Sequence, residues 1–593
     1  MTIRVADYIA RFLADRGAEH VFLLPGGGAM HLNDALLGEP RLRFVCNLHE
    51  QACAIAAEAY AKTTGRPGIV MVTTGPGATN AITGVVGAWQ DSTPLFIVSG
   101  QVKRADLSRG TGLRSLGVQE VDIVPMVAGV TKVAETITDP QRIRWHLERA
   151  WHEMLTGRPG PVWLDVPLDV QGAPIDPETL EGYPIAASAP PAPTAAAMDA
   201  IVAALNAAER PVLLLGHGVR LAGALPLLEP LIAALDIPVL CTWLALDVIP
   251  ESHPRYIGRP GGLAPRGANF TIQNSDCVLA IGARLDLVLT AYAHEKFARA
   301  ATKIQVDIDP AELAKMRTPI HHPVVADARL FIEALLARRD ALRRSGRDAW
   351  LARCLEWKTR WPIVLPEHRH TTGPVSLYHF ADVMSERAPA DALIVSGSSG
   401  TGIEIFLHAL RVGAGHRILH TTALGAMGFG LPAAVGAAIA APGRPVVCVD
   451  GDGGIQLNIQ ELATVAYHRL PVKFFILDND GYASIRNSQK LYFDRVLACD
   501  AQTGLGLPDI RRVAEAYGIT TTSIESSERL AERVSEVLAM PGPVVCRVTV
   551  LPEEPRAPRV STAFSINQTT TSGNSVFVLG DLPELGGNDV RRA

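Results

Sequence analysis

The sequence predicts an α/β protein made of three doubly wound parallel-sheet domains. Short apolar runs rich in Val, Ile and Leu alternate with helical patterns along most of the 593 residues. These runs are continuous and bounded by Gly or Pro, which is typical of parallel strands covered by helices on both faces. The pattern restarts after a Pro- and Ala-rich segment and again after a charged one, so three blocks are expected.

The first block opens with an amphipathic helix in VADYIARFLAD, followed by strand-like runs such as HVFLL, GIVMV and PLFIVSG. The second block contains PVLLLG, VLAIG and KIQVDID, and the third contains ALIVSG, PVVCVDG and VKFFILD. In sheets of this kind ligands bind beyond the carboxyl ends of the strands, where the Gly-rich sequences occur here. We predict an N-terminal domain at 1–171, a linker at 172–197, a central domain at 198–340, a linker at 341–375, a C-terminal domain at 376–552 and a polar tail at 553–593.

Composition excludes several classes of protein. The chain is 48% hydrophobic and 19% charged, with a net charge of -5 and no basic block, so nucleic acid is not an expected partner. No apolar stretch reaches the roughly 18 residues that a membrane span requires. The eight cysteines are scattered without a CxxC pair, which argues against a zinc site or a disulfide framework. A cytoplasmic location is expected.

Two acidic, Gly-rich sequences follow neighbouring strands of the third block. Asp452 follows VVCVDG, and Asn479 and Gly481 follow FFILD one helical crossover later. A right-handed crossover places both strand ends at one edge of the sheet. Their oxygens suit a hard cation such as Mg²⁺, and the surrounding glycines allow backbone amides to approach a phosphate. The alternative is a pair of ordinary Asp-Gly turns.

These motifs carry a family resemblance. GDGG followed by DNDG resembles the thiamine diphosphate motif, and LGAMGFGLPAAVGAA closely resembles acetolactate-synthase-type enzymes. The resemblance implies Mg²⁺ on Asp452, Asn479 and the Gly481 carbonyl, with Met427 holding the cofactor bent and the Gly425 carbonyl accepting from its 4'-amino group. The other cofactor contacts expected in this block are Ser399, Gly400, Thr401, Gly451, Gly453 and Gly454.

In the first block, HEQACAIAAEAYAKTTG resembles the family segment that carries the catalytic glutamate, here Glu50. A carboxylate on the pyrimidine ring stabilises the imino form of the cofactor, which then deprotonates its own reactive carbon. The alternative for Glu50 is a solvated helix carboxylate. The resemblance further implies cofactor contacts at Gly27, Thr74, Pro76 and Asn80, and a catalytic role for Gln119. It also implies a homodimer or homotetramer in which Glu50 and Asp452 of different subunits serve one cofactor.

The middle block resembles the central domain of the same enzymes, of which some bind FAD and others bind no flavin or another nucleotide. Gly216, Gly218, Arg284 and Asp307, with Arg158 of the first block, fall at comparable positions. FAD is therefore one of two open alternatives, and a visible absorption spectrum of the purified protein distinguishes them.

The sequence departs from the family at the positions that bind the acceptor substrate. Ser488 stands where acetolactate synthases carry a tryptophan, Val288 lies near the position of their arginine, and Val118 and Leu168 replace a phenylalanine and a lysine. Losing an aromatic wall and a charged carboxylate contact weakens binding of a 2-oxo-acid acceptor. We therefore expect a thiamine-diphosphate-dependent C–C lyase or carboligase that cleaves a 2-oxo acid or 1,2-dicarbonyl donor. The carbanion formed is protonated or passed to a carbonyl acceptor.

Two alternatives stay open: an acetolactate synthase with a rearranged acceptor site, and a catalytically inactive thiamine-binding homologue. The roles of two polar residues near the expected site also stay open. His31 is either a proton shuttle with a catalytic role or a satisfied histidine, and Arg486 either holds a substrate carboxylate or pairs at the surface. The last segment of the tail, FVLGDLPELGGNDVRRA at residues 577–593, is interpreted as a lid from its position in relatives.

Overall fold

The computed structural model describes residues 2–185, 189–343, 345–398, 400 and 402–555. Within them, three six-stranded sheets form, every neighbouring pair of strands within each sheet is parallel, and helices connect the strands. The predicted fold class is confirmed. A separate antiparallel pair joins Ile3–Arg4 to Pro174–Ile175. The described part of the chain divides into two compact units, of which one holds the first and third sheets and the other holds the middle sheet.

The first sheet provides the N-terminal half of the first unit. In spatial order its strands are Arg43–Cys46, His20–Leu23, Gly68–Val72, Leu95–Gln101, Val162–Pro167 and Val133–Thr136. Its helices are Val5–Asp15, Met30–Leu37, Glu50–Thr64, Pro76–Gln90, Ile123–Val127, Ile143–Leu155 and Leu168–Gln171. The central strands are buried along their whole length, which explains their continuous apolar sequences.

The third sheet lies in the same unit. Its strands, in spatial order, are Arg417–Leu419, Leu393–Ser396, Val446–Gly451, Val472–Asp478, Val544–Thr549 and Thr520–Ile524. Its α-helices are Gly430–Ala440, Leu462–Tyr467, Ala483–Phe493, Ile510–Ala516 and Leu530–Ala539, and a 3-10 helix spans Ile455–Glu461. The helix predicted between the two acidic sequences is therefore a 3-10 segment continued by a short α-helix.

The middle sheet belongs to the second unit. Its strands run in the order Tyr256–Gly258, Val239–Cys241, Pro211–Leu215, Cys277–Ile281, Thr302–Asp307 and His322–Val325. The helices of this unit are Ala195–Ala207, Gly218–Leu221, Leu228–Leu235, Arg266–Asn274, Pro310–Ala314, Ala328–Leu336, Asp348–Arg360 and Leu377–Arg387. Asp348–Arg360 falls in the segment predicted as the second linker, and its Trp350 and Trp357 are buried in the core of this unit. The exact domain boundaries stay predictions.

Small residues let two helices of the first unit pack closely. The helix Glu50–Thr64 is buried over most of its length, and Gly430–Ala440 lies against it in one continuous core. At Gly436 a side-chain carbon would overlap the carbonyl oxygen of Ala56, so only glycine permits this approach. The Ala-rich sequence of both helices thus fixes the Glu50 helix against the third block.

A buried ionic group strengthens the same packing. The ammonium of Lys62 lies 2.6 Å from Glu58 and 2.7 Å from Asp91, and the three side chains are 5%, 1% and 0% exposed. Lys62 also donates to the carbonyl of His420, at 3.3 Å. Burial raises the pKa of Glu58 to about 7, and the Lys62 ammonium opposes that rise. The group therefore depends on the charge of Lys62.

Replacing Lys62 with Met should destabilise the first unit by about 3–5 kcal/mol, because two buried carboxylates would lose their counter-ion. Urea unfolding of the purified protein at neutral pH measures this change. Lys103→Met, at an exposed position, is the control and should shift stability by no more than about 0.5 kcal/mol. Equal unfolding midpoints for the two variants would contradict a stabilising role for Lys62.

Candidate active site

Asp452 meets the turn after the neighbouring strand at the carboxyl edge of the third sheet. The strands Val446–Gly451 and Val472–Asp478 pair in register, with Gly451 opposite Leu477. The amide of Gly481 donates to Oδ2 of Asp452 at 2.8 Å, and the amide of Gly453 donates to Oδ1 at 2.9 Å. Asn479 is buried beside this turn. The structure therefore brings the three predicted metal-binding positions to one edge.

The electrostatics of this edge favour a cation. Burial raises the pKa of Asp452 to about 7; the Gly481 amide opposes that rise, and the nearby Asp478 carboxylate adds to it. A bound cation would reverse the rise, because positive charge stabilises the ionised carboxylate. Within the described residues, no group of three or more His, Cys, Asp or Glu is placed to hold a metal ion. The set here is instead one carboxylate, one amide and one backbone carbonyl, a donor set that fits Mg²⁺.

A pocket of about 360 Å³, partly open to solvent, adjoins this edge. Its lining residues are Gly400, Met427, Gly451, Gly453, Gly454, Asn479, Gly481, Tyr482, Ala483, Ser484 and Ile485. At Gly453 a side-chain carbon would overlap the ring of Tyr482, and at Gly400 it would overlap Ser484. Only glycine therefore fits at these two positions of the pocket lining. A pocket lined by several glycines lets a phosphate group approach the backbone. Ser399 and Thr401, predicted for the same task, lie outside the described residues.

The loop that carries Gly425 and Met427 is held in an unusual conformation. Gly425 and Gly428 have φ angles of 66° and 83°, in the left-handed region that favours glycine. The Nδ2 of Asn458 donates to the carbonyl of Gly428 at 2.8 Å. Met427 is half-buried and lines the pocket described above. A fixed loop of this kind can hold a bulky ligand in one orientation.

Arg486 is buried, and its guanidinium contacts oxygens of the protein. Its guanidinium donates to the carbonyls of Asn479 and Asp480, each at 2.9 Å, and to the carbonyl of Pro552 at 2.8 Å. It also lies 3.4 Å from the carboxylate of Asp500. The surface-pairing interpretation is wrong, since Arg486 is 4% exposed. Arg486 instead fixes the turn that carries Asn479 and Gly481.

Glu50 is the first residue of the helix Glu50–Thr64, and His49 caps this helix by accepting from the amide of Gln51. The Glu50 carboxylate is 6% exposed and accepts from Nδ2 of Asn80 at 3.0 Å. Asn80 lies in the first turns of Pro76–Gln90, which begins at Pro76 after the sharp turn of Gly75. The positive helix end favours this negative charge. Glu50 is thus not a solvated carboxylate.

The hydroxyl of Thr74 contacts both Gln119 and Gln101, a buried amide side chain that the sequence did not single out. The hydroxyl of Thr74 lies 3.0 Å from Oε1 of Gln101 and 3.1 Å from the Gln119 carbonyl. The Nε2 of Gln101 donates to the Val121 carbonyl at 2.8 Å and to Asp165 at 3.0 Å. Burial raises the pKa of Asp165 to about 7, against the hydrogen bonds that it accepts. The position of Gln101 at the end of strand Leu95–Gln101, on a ligand-binding edge, was the available signal.

The loop at Gly27 is held in place by contacts of its neighbouring glycines. Gly26 and Gly28 pack against Thr73 and Thr74, and Nε2 of Gln171 donates to the Gly28 carbonyl at 2.7 Å. Gly27 itself has open space around its Cα. His31, half-buried in the helix Met30–Leu37, packs against Gly172. Its proton-shuttle role stays a prediction.

In the second unit, the residues considered for FAD already have contacts within the protein. Gly216 and Gly218 pack against the backbone of Gly282, which leaves no room for a side chain at either position. The Nε of Arg284 lies 3.0 Å from the carboxylate of Glu312. These glycines have a packing role whether or not a nucleotide binds. FAD therefore stays a prediction. Among the described residues, no helix is long and apolar enough to cross a membrane.

Three family models match the chain in sequence order. They are the thiamine pyrophosphate enzyme N-terminal TPP binding domain at residues 3–126, the central domain at 198–335 and the C-terminal TPP binding domain at 401–548. The first and third matches contain the two halves of the site described above. The second covers the middle sheet.

Curated relatives match over most of their length. The acetolactate synthase isozyme 1 large subunit of Escherichia coli is 32% identical over 94% of this chain and 95% of its own. The probable acetolactate synthase large subunit of Methanocaldococcus jannaschii is 32% identical over 93% and 92%, respectively. The probable acetolactate synthase 2 of Oryza sativa is 32% identical over 96% and 86%. The chain therefore belongs to the family of thiamine-diphosphate-dependent enzymes that includes the acetolactate synthase large subunits.

Proposed function

We propose that the protein is a thiamine-diphosphate-dependent carboligase or C–C lyase of the acetolactate synthase type. Its donor is a 2-oxo acid or a 1,2-dicarbonyl compound, and the donor fragment is protonated or transferred to a carbonyl acceptor. The observation that carries this proposal is the buried Glu50 carboxylate held by Asn80, in a chain that also forms the Asp452–Gly481 edge. An inactive homologue would have no need of both features.

Mg²⁺ is proposed to bind Asp452, the side chain of Asn479 and the carbonyl of Gly481. The pocket-lining residues Gly400, Gly451, Gly453 and Gly454 would surround the diphosphate, together with Ser399 and Thr401. The burial of Asp452 supports this assignment, since burial raises the pKa of its carboxyl group and a bound cation would stabilise the ionised form. Arg486 supports it indirectly by fixing the turn of Asn479.

The cofactor supplies a nucleophilic carbon and accepts the electrons of the bond that breaks. Glu50 is proposed to hold or release a proton at the pyrimidine nitrogen, with Asn80 keeping its carboxylate in place. Gly425 and Met427 would orient the cofactor, and Gly27, Thr74 and Pro76 would surround its pyrimidine. Gln119 and His31 are proposed to act next to the reacting carbon.

We infer a homodimer or homotetramer with each site between two subunits. Apolar side chains are exposed beside the first-block residues of the site: Leu48 at 48%, Leu116 at 48% and Val118 at 87%. A group of exposed apolar residues next to functional residues is typical of a surface that a partner covers. Glu50 of one subunit and Asp452 of another would then serve one cofactor.

The acceptor is proposed to differ from that of the relatives. Ser488 points its hydroxyl at the carbonyl of Ser484, within a helix whose first residues line the pocket. A serine supplies no aromatic wall where the relatives carry a tryptophan, and Val118 adds no aromatic ring either. Pyruvate condensation to acetolactate, the activity in the relatives' names, is the second candidate because of their similarity over most of the chain.

A substrate screen distinguishes these functions. Purified protein with Mg²⁺ and thiamine diphosphate is incubated with a set of 2-oxo acids and diketones, each with several aldehyde acceptors. Cofactor-dependent donor consumption with products other than acetolactate is expected. Acetolactate as the main product from pyruvate would select the second candidate. Failure to retain thiamine diphosphate together with no turnover of any donor would contradict both and leave the inactive homologue.

Replacing Glu50 with Gln should slow deuterium exchange at the reactive carbon of bound thiamine diphosphate by about 10²–10⁴-fold, because the proton-transfer group is lost. Quenched-flow NMR measures this rate. Mg²⁺-dependent cofactor binding should persist, since Gln preserves size and the contact with Asn80. Glu356→Gln, at a half-exposed helix position, is the control. Wild-type exchange in the Glu50 variant would remove Glu50 from its proposed role.

Replacing Asp452 with Ala should abolish the dependence of thiamine diphosphate binding on Mg²⁺, because the only carboxylate of the proposed metal set is removed. Calorimetric titration with and without Mg²⁺ measures this effect. Asp340→Ala, at an exposed position, should bind like the unchanged protein. Metal-dependent binding of wild-type affinity in the Asp452 variant would place the metal elsewhere.

A further inference from the structure

Glu461 joins the third block to the turn that precedes Glu50. It ends the 3-10 helix Ile455–Glu461 and is 0% exposed. Its carboxylate accepts three hydrogen bonds, from Nδ2 of Asn47 and the amide of Leu48, each at 2.8 Å, and from the hydroxyl of Thr464 at 2.7 Å. Two of these donors belong to the first block, and both lie within three residues of Glu50.

All three partners of Glu461 are donors, so the position requires an acceptor with both oxygens available. A carboxylate meets this requirement, whereas a glutamine would turn its amide group toward a donor. Burying a carboxylate is costly, and burial raises the pKa of Glu461 while the three donors oppose the rise. A stabilising apolar contact would fill this place at lower cost. Packing alone therefore does not explain why a carboxylate occupies this position.

The turn that Glu461 holds determines where Glu50 begins its helix. Asn47 is fully buried, and its backbone N–H donates to the carbonyl of Leu23 at 3.0 Å. With Asn47 and Leu48 fixed, His49 caps the helix and Glu50 enters it facing Asn80. A shift of this turn would move the Glu50 carboxylate directly, because only His49 lies between.

The segment that carries Glu461 also contacts the other parts of the site. Nε2 of Gln456 donates to the carbonyl of Asp452 at 3.1 Å, and Asn458 holds the Gly428 carbonyl. Asn458 has φ -137°, which kinks the segment and lets its two ends face different elements. One short segment thus contacts the metal edge, the Met427 loop and the Glu50 turn.

We propose that Glu461 is a positioning residue for Glu50: through Asn47 and Leu48 it sets the orientation in which the Glu50 carboxylate meets the cofactor. This inference rests on the proposed function, in which Glu50 controls proton transfer at the pyrimidine. Glu461 itself contacts neither cofactor nor substrate in this assignment. Its loss therefore affects the proton-transfer step and leaves binding at the Asp452 edge intact.

The test compares Glu461→Gln with the unchanged protein in two measurements. Deuterium exchange at the reactive carbon of bound thiamine diphosphate should fall by about 10- to 100-fold, since a small misplacement of a catalytic group has effects of this size. Mg²⁺-dependent binding of thiamine diphosphate should stay unchanged. A purely structural role would lower thermal stability without separating these two quantities.

Glu554→Gln is the matched control. Glu554 is also a buried carboxylate that accepts from a hydroxyl and a backbone amide, those of Ser376 and Leu377, and it belongs to the second unit. The same chemical change there should reduce folding stability and leave the exchange rate unchanged. An equal loss of exchange in both variants would overturn the positioning role, because it would show a general effect of buried-carboxylate loss.

Asn47→Ala provides a second variant, which keeps the bond between Leu48 and Glu461 and so disturbs the fold less. A smaller loss of exchange is expected, and the double variant should lose less than the product of the two single effects. Wild-type exchange in both Glu461→Gln and Asn47→Ala would overturn the inference. If Glu50→Gln also exchanged at the wild-type rate, the proposed function would fail with it, so the two failures are distinguishable.

Discussion

The hydrogen bond from the Gly481 amide to the Asp452 carboxylate joins the ends of two neighbouring parallel strands, and the rest of the site is arranged around it. Parallel pairing with Gly451 opposite Leu477 brings both strand ends to one edge. The left-handed φ of 109° at Gly481 turns the chain back, so that its amide faces the carboxylate. Arg486 then fixes the same turn through the carbonyls of Asn479 and Asp480. A buried, acidic and rigid edge results, which suits a divalent cation over a phosphate.

The first block supplies a second rigid element from different interactions. Glu50 is held by Asn80, Thr74 by Gln101, and the Gly28 carbonyl by Gln171. In each case an amide side chain connects a loop or helix start of the site to another element, and those of Gln101 and Gln171 are buried. Such contacts limit loop motion because a buried polar group without its partner is costly. The loops around the proposed cofactor are therefore preorganised by residues that do not act on substrate.

The sequence predicted the three parallel sheets and the common edge of Asp452 and Asn479, because apolar runs and one right-handed crossover determine them. It did not predict the Asn80 contact of Glu50, since that depends on two helix ends meeting in space. The buried contacts of Arg486 with carbonyl groups were not predicted, because a guanidinium that binds carbonyls and one that pairs at the surface look alike in sequence. The sequence did not predict the roles of Gln101, Asp165 and Glu461. Most of their hydrogen-bond partners are distant in sequence, so no short motif marks them. The second linker also contains the helix Asp348–Arg360, whose tryptophans are buried.

A crystal structure of the protein grown with Mg²⁺ and thiamine diphosphate tests the central assignment most directly. The account predicts a cation about 2.1 Å from the Asp452 carboxylate, the Asn479 side chain and the Gly481 carbonyl, with phosphate oxygens completing its shell. It also predicts that Glu50 of a second subunit lies within hydrogen-bond distance of the pyrimidine. A cation bound elsewhere, or a cofactor whose diphosphate does not reach the Asp452 edge, would contradict it.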